Sequence, residues 1–171
     1  LVAMVENPPD LPAGITAPEI HSNGAYSVSW TGVKGDVTHY ELYEATTNNF
    51  SNALLVYSGL NLSATLSGRT PGTYYYQVRA CNGSACGGYT SVTVGSTIIV
   101  PDGDMNSDGK VDGADAALAS RAAAGIVTPT AAQLAHGDVA PLLDGTPGPD
   151  NLIDMGDLLV IQRKALGIVN Y

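Results

Sequence analysis

The chain has 171 residues, 44% of them hydrophobic, and it carries a formal net charge of −9. This length allows one or two domains, and no apolar run approaches the ~18 residues that a membrane-spanning helix needs. A surface with this excess of negative charge repels phosphate backbones, so we expect no nucleic acid partner. The opening residues LVAMVENPPDLPAG lack a basic stretch followed by an apolar one, which indicates an internal segment or a mature N-terminus.

Residues 15–98 alternate apolar and polar side chains with a period of two, as half-buried strands do. The pattern is clearest in YSVSW (26–30), HYELYEA (39–45) and TYYYQVRA (73–80), and turn-rich pieces separate these runs. Strands at this spacing, with little helical periodicity, predict an antiparallel β-sandwich. The phase of the alternation places four tyrosines in its core: Tyr26, Tyr40, Tyr74 and Tyr76.

Two cysteines, Cys81 and Cys86, flank the turn signal Asn82-Gly83. A disulfide across a hairpin at this point is sterically reasonable, and it would indicate an oxidising, extracellular compartment. Two free thiols in a cytosolic protein are the alternative. The spacing and the lack of nearby histidines argue against a zinc site.

These residues resemble a fibronectin type III domain of the kind found in bacterial secreted proteins. The features that carry the resemblance are the inner Trp30 after Tyr26 and Val28, then THYELYEA, then PGTYYYQVRA (71–80) with the cysteine-flanked hairpin after it. The resemblance covers about residues 14–98 and implies a spacer or adhesive module without a catalytic site. It also implies a tyrosine corner near the start of the sixth strand, where strand phase favours Tyr74 over Tyr75.

Some tyrosines of the sandwich are predicted to point outward, where an aromatic ring can stack against a sugar. This is the alternative binding role of the sandwich, and a core role is favoured for the tyrosines on the apolar phase. The outward candidates are Tyr43, Tyr57, Tyr75 and Tyr89.

The composition changes after a short linker at residues 99–101, where Pro101 marks the boundary. Residues 99–171 hold ten aspartates, no glutamate and four basic residues, and so carry −6 of the total charge. Short carboxylates suit tight turns and cation-binding loops, whereas solvated helix faces favour glutamate. This composition indicates cation binding.

The stretch DMNSDGKVDGAD (104–115) matches the calcium loop of an EF-hand. Oxygen donors recur at alternate positions, Gly109 permits the sharp turn at position six, and the last ligand is aspartate where glutamate is usual. Hard oxygen ligands in this number suit Ca²⁺ far better than zinc or copper. The predicted ligands are Asp104, Asn106, Asp108, the Lys110 carbonyl, Asp112 through water, and Asp115.

A helix is predicted after this loop, over ADAALASRAAAGI, with Gly125 at its C-terminal end. VPDG precedes the loop, so the unit is one loop followed by one helix. A shift of 42 residues places 108–127 over 150–169 with eight of twenty residues identical, so the unit is duplicated. A short helix is predicted between the copies, with Thr128 as its N-cap and Pro129 at its first position.

Eight extra residues, within APLLDGTPGPD, widen the loop of the second copy. Ala140 stands where an Asn or Asp is usual, and Asn151 replaces the glycine. We still predict a second Ca²⁺ site, with fewer side-chain donors. Its ligands would be Asp138, the Ala140 carbonyl, Asp150, the Leu152 carbonyl, Asp154 through water, and Asp157.

A doubled loop–helix unit without entering helices, here over residues 102–170, resembles a dockerin. The resemblance implies two calcium-bound motifs whose helices pack as a near-symmetric antiparallel pair and bind a cohesin domain. It places the cohesin contacts at loop positions 10 and 11 and helix positions 17 and 18. These are Gly113, Ala114, Ser120 and Arg121 in the first copy, and Met155, Gly156, Gln162 and Arg163 in the second. The family's usual Ser-Thr pair is absent, which leaves the class of cohesin open, and the two arginines could instead act as cations at helix C-termini.

We therefore expect two domains, a fibronectin III-like all-β sandwich at 1–98 and a small all-α dockerin-like domain at 102–171. The expected function is to anchor a larger secreted bacterial protein, a carbohydrate-active enzyme, to a cohesin-bearing scaffold, with the sandwich as spacer or brace. One alternative is a calcium-stiffened module that packs only within its own chain, and another is carbohydrate or surface adhesion by the sandwich. No nucleophile–base pair or paired acids lie outside the metal loops, so we expect no enzyme, and we expect the free chain to be monomeric.

Overall fold

The computed structural model describes residues 7–22, 24–90 and 94–171. These residues form two units, each with its own core. Among the described residues, the first unit comprises 7–19, 25–90 and 94–97, and the second comprises 20–22, 24 and 98–171. In the described ranges no helix is both long and apolar enough to cross a membrane.

The described part of residues 7–98 contains nine short strands. They are β1 (Ile15–Thr16), β2 (Ile20–His21), β3 (Tyr26–Trp30), β4 (His39–Ala45), β5 (Leu54–Gly59), β6 (Ser63–Leu66), β7 (Gly72–Asn82), β8 (Ala85–Cys86) and β9 (Val94–Ile98). One sheet has the strand order β1-β3-β6, and the other has the order β2-β9-β7-β4-β5, with β8 paired to β7. The predicted strands YSVSW and HYELYEA are β3 and β4 without any change of boundary.

Side chains from both sheets share the core of the first unit. Val28 of one sheet and Leu42 and Val78 of the other are fully buried. The ring centroids of Trp30 and Tyr40 lie 6.1 Å apart, which joins the two sheets through their aromatic side chains. The core prediction is confirmed for Tyr26, Tyr40 and Tyr76, which are 7%, 5% and 0% exposed.

Two of the tyrosine predictions are wrong. Tyr74 is not a core residue, since it lies at the start of β7 and is only half-buried. Its hydroxyl donates to the carbonyl of Thr70 at 3.1 Å, which is the expected tyrosine corner. Tyr57 does not point outward, since its ring packs against Trp30 at 5.6 Å. The pairing of β4 with β5 is irregular between Leu42 and Tyr43, and Tyr57 lies opposite the buried Leu42. This irregularity changes the phase that simple alternation assigns to Tyr57.

The predicted disulfide is confirmed. The sulfurs of Cys81 and Cys86 are bonded, and the two residues pair across the β7–β8 hairpin. Gly83 in the turn has a φ of +57°, a conformation that glycine adopts without steric cost. The bond therefore closes a local loop at the end of the longest strand.

The second unit contains the helices α1 (Gly113–Ala123), α2 (Ala131–Gly137) and α3 (Met155–Ala165). It is not all-α as expected, because the insertion in the second loop forms a hairpin of β10 (Leu142–Leu143) and β11 (Thr146–Pro147). Helix α2 also begins later than predicted. Thr130 and Gln133 form a reciprocal capping box, with hydrogen bonds of 3.2 and 3.0 Å, and this box makes Thr130 the N-cap instead of Thr128.

Helices α1 and α3 pack against each other over a small apolar core. Ala119 and Ile161, one from each helix, are fully buried there. The other buried members come from the loops and from the first turns of α3: Met105, Val139, Ile153 and Leu158. The core is built from the two copies of the repeat, so each acidic loop lies at the start of a helix that the other copy helps to bury.

Candidate metal centres

The first acidic loop begins at Asp104, whose side chain is buried. Its two carboxylate oxygens accept backbone hydrogen bonds from Asp108 at 3.1 Å and from Gly109 at 2.7 Å. Gly109 has a φ of +87°, a left-handed conformation that most side chains disfavour. The sharp turn expected at position six is present, and it folds the chain back over the first carboxylate.

The same loop ends at Asp115, which is fully buried in the first turn of α1. Its Oδ1 accepts the N–H of Asn106 at 3.1 Å and its Oδ2 accepts the N–H of Asp112 at 2.9 Å. Asp112 in turn caps α1 by accepting the N–H of Ala114 at 2.7 Å. One carboxylate thus ties the beginning of the loop to the beginning of the helix.

The second loop starts in the same way in spite of its insertion. Asp138 is fully buried, and its carboxylate accepts the N–H of Asp150 at 3.0 Å and of Asn151 at 2.6 Å. These donors are the counterparts of Asp108 and Gly109 in the first copy. Asn151 takes the glycine's place with a φ of +69°, which asparagine tolerates better than most residues.

The second loop also ends in the same way. Asp157 is 1% exposed and accepts the N–H groups of Ala140 and Asp154, each at 2.8 Å, as Asp115 does in the first copy. A further hydrogen bond, also of 2.8 Å, comes from the N–H of Val139. Asp154 caps α3 through the N–H of Gly156 at 2.6 Å. The eight inserted residues therefore leave the closure of the loop intact.

These four buried carboxylates lack a cationic side-chain partner. Within residues 94–171 the one side-chain ion pair joins His136 to Asp102 at 2.7 Å, and sequence reasoning missed it because 34 residues separate the two. Burial raises the pKa of Asp138 and of Asp157, and backbone N–H donors offset part of that rise. A buried carboxylate is costly unless a charge or a metal compensates it. The electrostatics favour a cation in each loop.

The other predicted ligands surround these carboxylates. Most of them are exposed, the Ala140 carbonyl belongs to a half-buried residue, and all of them offer oxygen: Asn106, Asp108, Lys110, Asp112, Ala140, Asp150, Leu152 and Asp154. Oxygen-only donor sets suit Ca²⁺, which takes six to eight such ligands in flexible geometry. The residues present in both loops therefore fit this ion.

The described residues contain one tighter group of potential metal ligands, formed by His39, Glu41, Cys81 and Cys86, whose ligand atoms lie within 4.8 Å of one another. Its two sulfurs are bonded to each other and provide no thiolate. This group is therefore a salt bridge beside a disulfide, not a metal site.

All eight predicted partner contacts are exposed: Gly113, Ala114, Ser120, Arg121, Met155, Gly156, Gln162 and Arg163. The second copy adds two exposed leucines that sequence reasoning missed, Leu159 (47%) and Leu166 (74%). With Met155 (66% exposed) they follow the spacing i, i+4, i+11 along one face of α3 and its C-cap, Leu166, and we call these three residues the apolar stripe.

The first copy has no such stripe. The residues of α1 and its C-terminus that match the apolar stripe after the 42-residue shift are Gly113, Ala117 and Ala124. Comparing the outer faces of the two copies, in addition to their shared loop ligands, would have revealed the stripe. The two helices therefore share a buried face and differ on the exposed one.

The outward tyrosines of the sandwich are already in contact with other side chains. Tyr43 and Tyr89 meet edge to face at 5.4 Å, and the Arg79 guanidinium lies 5.5 and 5.1 Å from their ring centres. Arg79 also pairs with Glu41 at 2.7 Å. Tyr75 lies over Gly95, where an added Cβ would be 3.4 Å from the ring. Arg79 thus covers part of both rings, which leaves less of each ring open to a sugar.

No family model matches this chain, and no curated protein matches it. Among solved structures it is similar to the sixth fibronectin type III domain of human fibronectin type III domain containing protein 3, at 25% identity and a TM-score of 0.46, over 56% of this chain and 92% of that one. It is also similar to a Fn3-like protein from Clostridium thermocellum, at 17% identity and a TM-score of 0.45, over 53% of this chain and 94% of that one.

A mutant of the protein FN3tt is similar at 25% identity with a TM-score of 0.43, over 52% of this chain and 94% of that one. All three TM-scores lie below 0.5, so the fold of the first unit rests on its own strand order, register and core. On those grounds the first unit is a β-sandwich of the fibronectin type III-like kind.

Proposed function

We propose that this chain is a calcium-dependent docking module that binds a cohesin domain through its second loop–helix copy, with the sandwich as spacer or brace. One observation carries the proposal. Two oxygen-rich loops close around buried aspartates through equivalent backbone hydrogen bonds, and no cationic side chain neutralises these aspartates. Each loop leads directly into one helix of a packed pair. A cation in each loop would therefore stabilise the helix that follows it.

Calcium is the proposed ion because every available donor is an oxygen. Two Ca²⁺ ions would bring four positive charges to a segment whose net charge is −6. The small core of the second unit gains little from apolar burial alone, so much of its folding free energy would come from metal binding. The docking surface would then be present only in the calcium-bound state.

The docking surface is proposed on α3 and its C-cap because the apolar stripe lies there, whereas the equivalent positions of the first copy are Gly113, Ala117 and Ala124. Large anchors at the centre of an interface contribute most of the binding free energy. The apolar stripe offers three such anchors, and Gln162 and Arg163 beside it supply polar contacts for the rim. The small residues of α1 offer less apolar surface for a partner to bury.

The parent protein is proposed to be a secreted, bacterial, carbohydrate-active enzyme, and this chain to be its non-catalytic anchoring part. The disulfide between Cys81 and Cys86 supports an oxidising compartment. The sandwich would hold the docking unit away from the rest of the polypeptide. Sugar binding by the sandwich is less favoured, because Arg79 lies against two of its outward tyrosines.

A second candidate function is a calcium-stiffened module that packs only within its own chain. The same buried aspartates favour it, but it gives no reason for the exposed apolar stripe. The apolar stripe as a group separates the two functions, because a cluster of exposed apolar side chains on one face marks an interaction surface.

The test is a binding screen of the full chain against a panel of purified cohesin domains, in calcium and again in EDTA with magnesium. We expect at least one cohesin to bind in calcium and to dissociate in EDTA. Calcium binding without any cohesin binding would favour the calcium-stiffened module. Failure to bind calcium in a titration of metal-free protein would contradict both functions.

A further inference from the structure

The second copy contains an apolar groove of about 340 Å³ beside α3. One wall consists of Gly156, Leu159 and Val160 of α3. The other wall consists of Ala140 and Pro141, where the inserted segment leaves the loop, and of Asp150, where it returns. The groove is therefore bounded on one side by the helix and on the other by the two ends of the insertion.

The repeat shows which parts of this groove belong to the second copy alone. Pro141 is the first inserted residue and has no counterpart in the first loop. The counterpart of Leu159 is Ala117, so the first helix presents a single methyl group where the second presents a leucine. A Cβ added at Gly156 would lie 2.9 Å from Oδ1 of Asp154 and 3.3 Å from the Cβ of Ala140, so the glycine lets Ala140, the residue before the insertion, lie close against α3.

We propose that this groove receives an apolar side chain of the docked cohesin, which makes the inserted segment an element that selects among cohesins. The inference rests on the function proposed above. The groove is continuous with the apolar stripe, because Leu159 belongs to both. A protein that covers the stripe would therefore also cover the groove.

Exposed acids on the groove and in the hairpin that follows Pro141 indicate the charge of the residue next to that apolar side chain. Asp150 and Asp154 are exposed on its lining, and Asp144 is exposed in the turn of the hairpin. Calcium would neutralise the first two, but Asp144 is not among the predicted ligands. The expected occupant is a cohesin segment in which a basic residue adjoins a leucine-sized apolar one, since opposite charges at a rim favour encounter and register.

The experiment uses the full chain and the cohesin that binds best in the panel. In the first variant a single serine replaces residues 141–149, which restores the loop length of the first copy. In the second variant, Val160→Thr, a hydroxyl replaces one methyl group of the groove. The control is Leu143→Ser, an exposed hairpin residue outside the groove lining.

We expect the first variant to bind that cohesin at least about tenfold more weakly, and Val160→Thr about fivefold more weakly, with the control within about twofold of the original. Calcium stoichiometry by calorimetry, measured on each variant, must remain two. If the shortened loop no longer binds calcium, its weaker cohesin binding has another cause, and the affinity of Val160→Thr alone tests the inference. Binding within twofold of the original by a calcium-loaded groove variant would overturn the inference while leaving the proposed function intact.

Two other outcomes would also overturn it. If no cohesin binds the original chain, the proposed function fails and the inference fails with it. If sedimentation shows that the chain forms dimers that Val160→Thr dissociates, the occupant is a second copy of the chain instead of a cohesin. Loss of affinity for one cohesin, with unchanged affinity for another that lacks the apolar residue, would give the strongest support.

Discussion

The two loop–helix copies hold their loop aspartates in the same way and differ in the side chains that their helices expose. In each loop the first aspartate accepts hydrogen bonds from two backbone N–H groups in the middle of the loop. The last aspartate accepts hydrogen bonds from N–H groups near the beginning of the loop and at the N-cap of the following helix. On the outer face, Gly113, Ala117 and Ala124 of the first copy stand against Met155, Leu159 and Leu166 of the second. The closure of a charged loop tolerates few changes, whereas an exposed helix face is free to change toward a partner.

The insertion shows how local that constraint is. Eight residues enter the second loop between Ala140 and Asp150, yet Asp138 and Asp157 accept hydrogen bonds from the same loop positions as in the first copy, with one more to Asp157 from Val139. The hairpin absorbs the extra length because Asp144 and Gly145 adopt positive φ values of 51° and 82°, which suits a tight two-residue turn. Loop length is therefore not what defines the site.

The largest expected effect comes from removing calcium, which tests whether both copies depend on the ion. In EDTA we expect the helical far-UV signal to be lost and the strand signal to remain. The reason is that four buried carboxylates and a segment charge of −6 would then oppose folding of the second unit. Circular dichroism of verified metal-free protein measures this, and a helical signal that is unchanged in EDTA would contradict it.

The next largest effect is the loss of calcium binding when an aspartate at position nine or twelve of a loop is replaced. We expect Asp115→Ala and Asp157→Ala each to abolish one of two calcium sites, because position twelve can hold the ion through both oxygens. Asp112→Ala and Asp154→Ala should only weaken a site, since position nine often acts through water. Their loss as N-caps should also cost about 1 kcal/mol of stability. Calorimetric titration distinguishes these cases, and equal losses at positions nine and twelve would show that the ligand assignment is wrong.

A smaller effect separates the two outer faces. We expect Met155→Ala combined with Arg163→Ala to weaken cohesin binding by more than about 2 kcal/mol, because the methionine is a large exposed anchor. Ser120→Ala combined with Arg121→Ala should cost less than about 1 kcal/mol. The reverse ranking would move the interface to α1. Loss of binding only when all four changes are combined would show that either copy can dock.

The smallest expected effect concerns the turn at position six. No atom lies within 4 Å of a Cβ built at Gly109, so only its φ of +87° opposes a side chain there. We expect Gly109→Asn, which imitates Asn151 of the second loop, to cost less than about 1 kcal/mol of stability. Gly109→Val should cost about 1–2 kcal/mol, because a β-branched residue strongly disfavours this conformation. Chemical unfolding in saturating calcium compares the two, and an equal cost would contradict the role of the turn.

The sequence predicted the strands β3 and β4, the disulfide and the duplicated loops, because each depends on residues that are close in the chain. Prediction failed at one local feature, the start of α2, where the capping box of Thr130 and Gln133 decides, and elsewhere it failed where distant pairing decides the outcome. The register of β4 against β5 turns Tyr57 toward Trp30, and no local pattern contains that register. The ion pair of His136 with Asp102 likewise depends on how two segments meet.

The amino-acid order by itself determined the alternation of the strands and the spacing of the loop aspartates, since both are repeats set by backbone geometry. Only the tertiary structure decided which carboxylates are buried without a cationic partner and which face of α3 stays exposed. Burial depends on what packs against a residue, and that requires α1 and α3 to come together. The groove beside Leu159 has the same origin, because its two walls are separated in the chain and meet only in the folded unit.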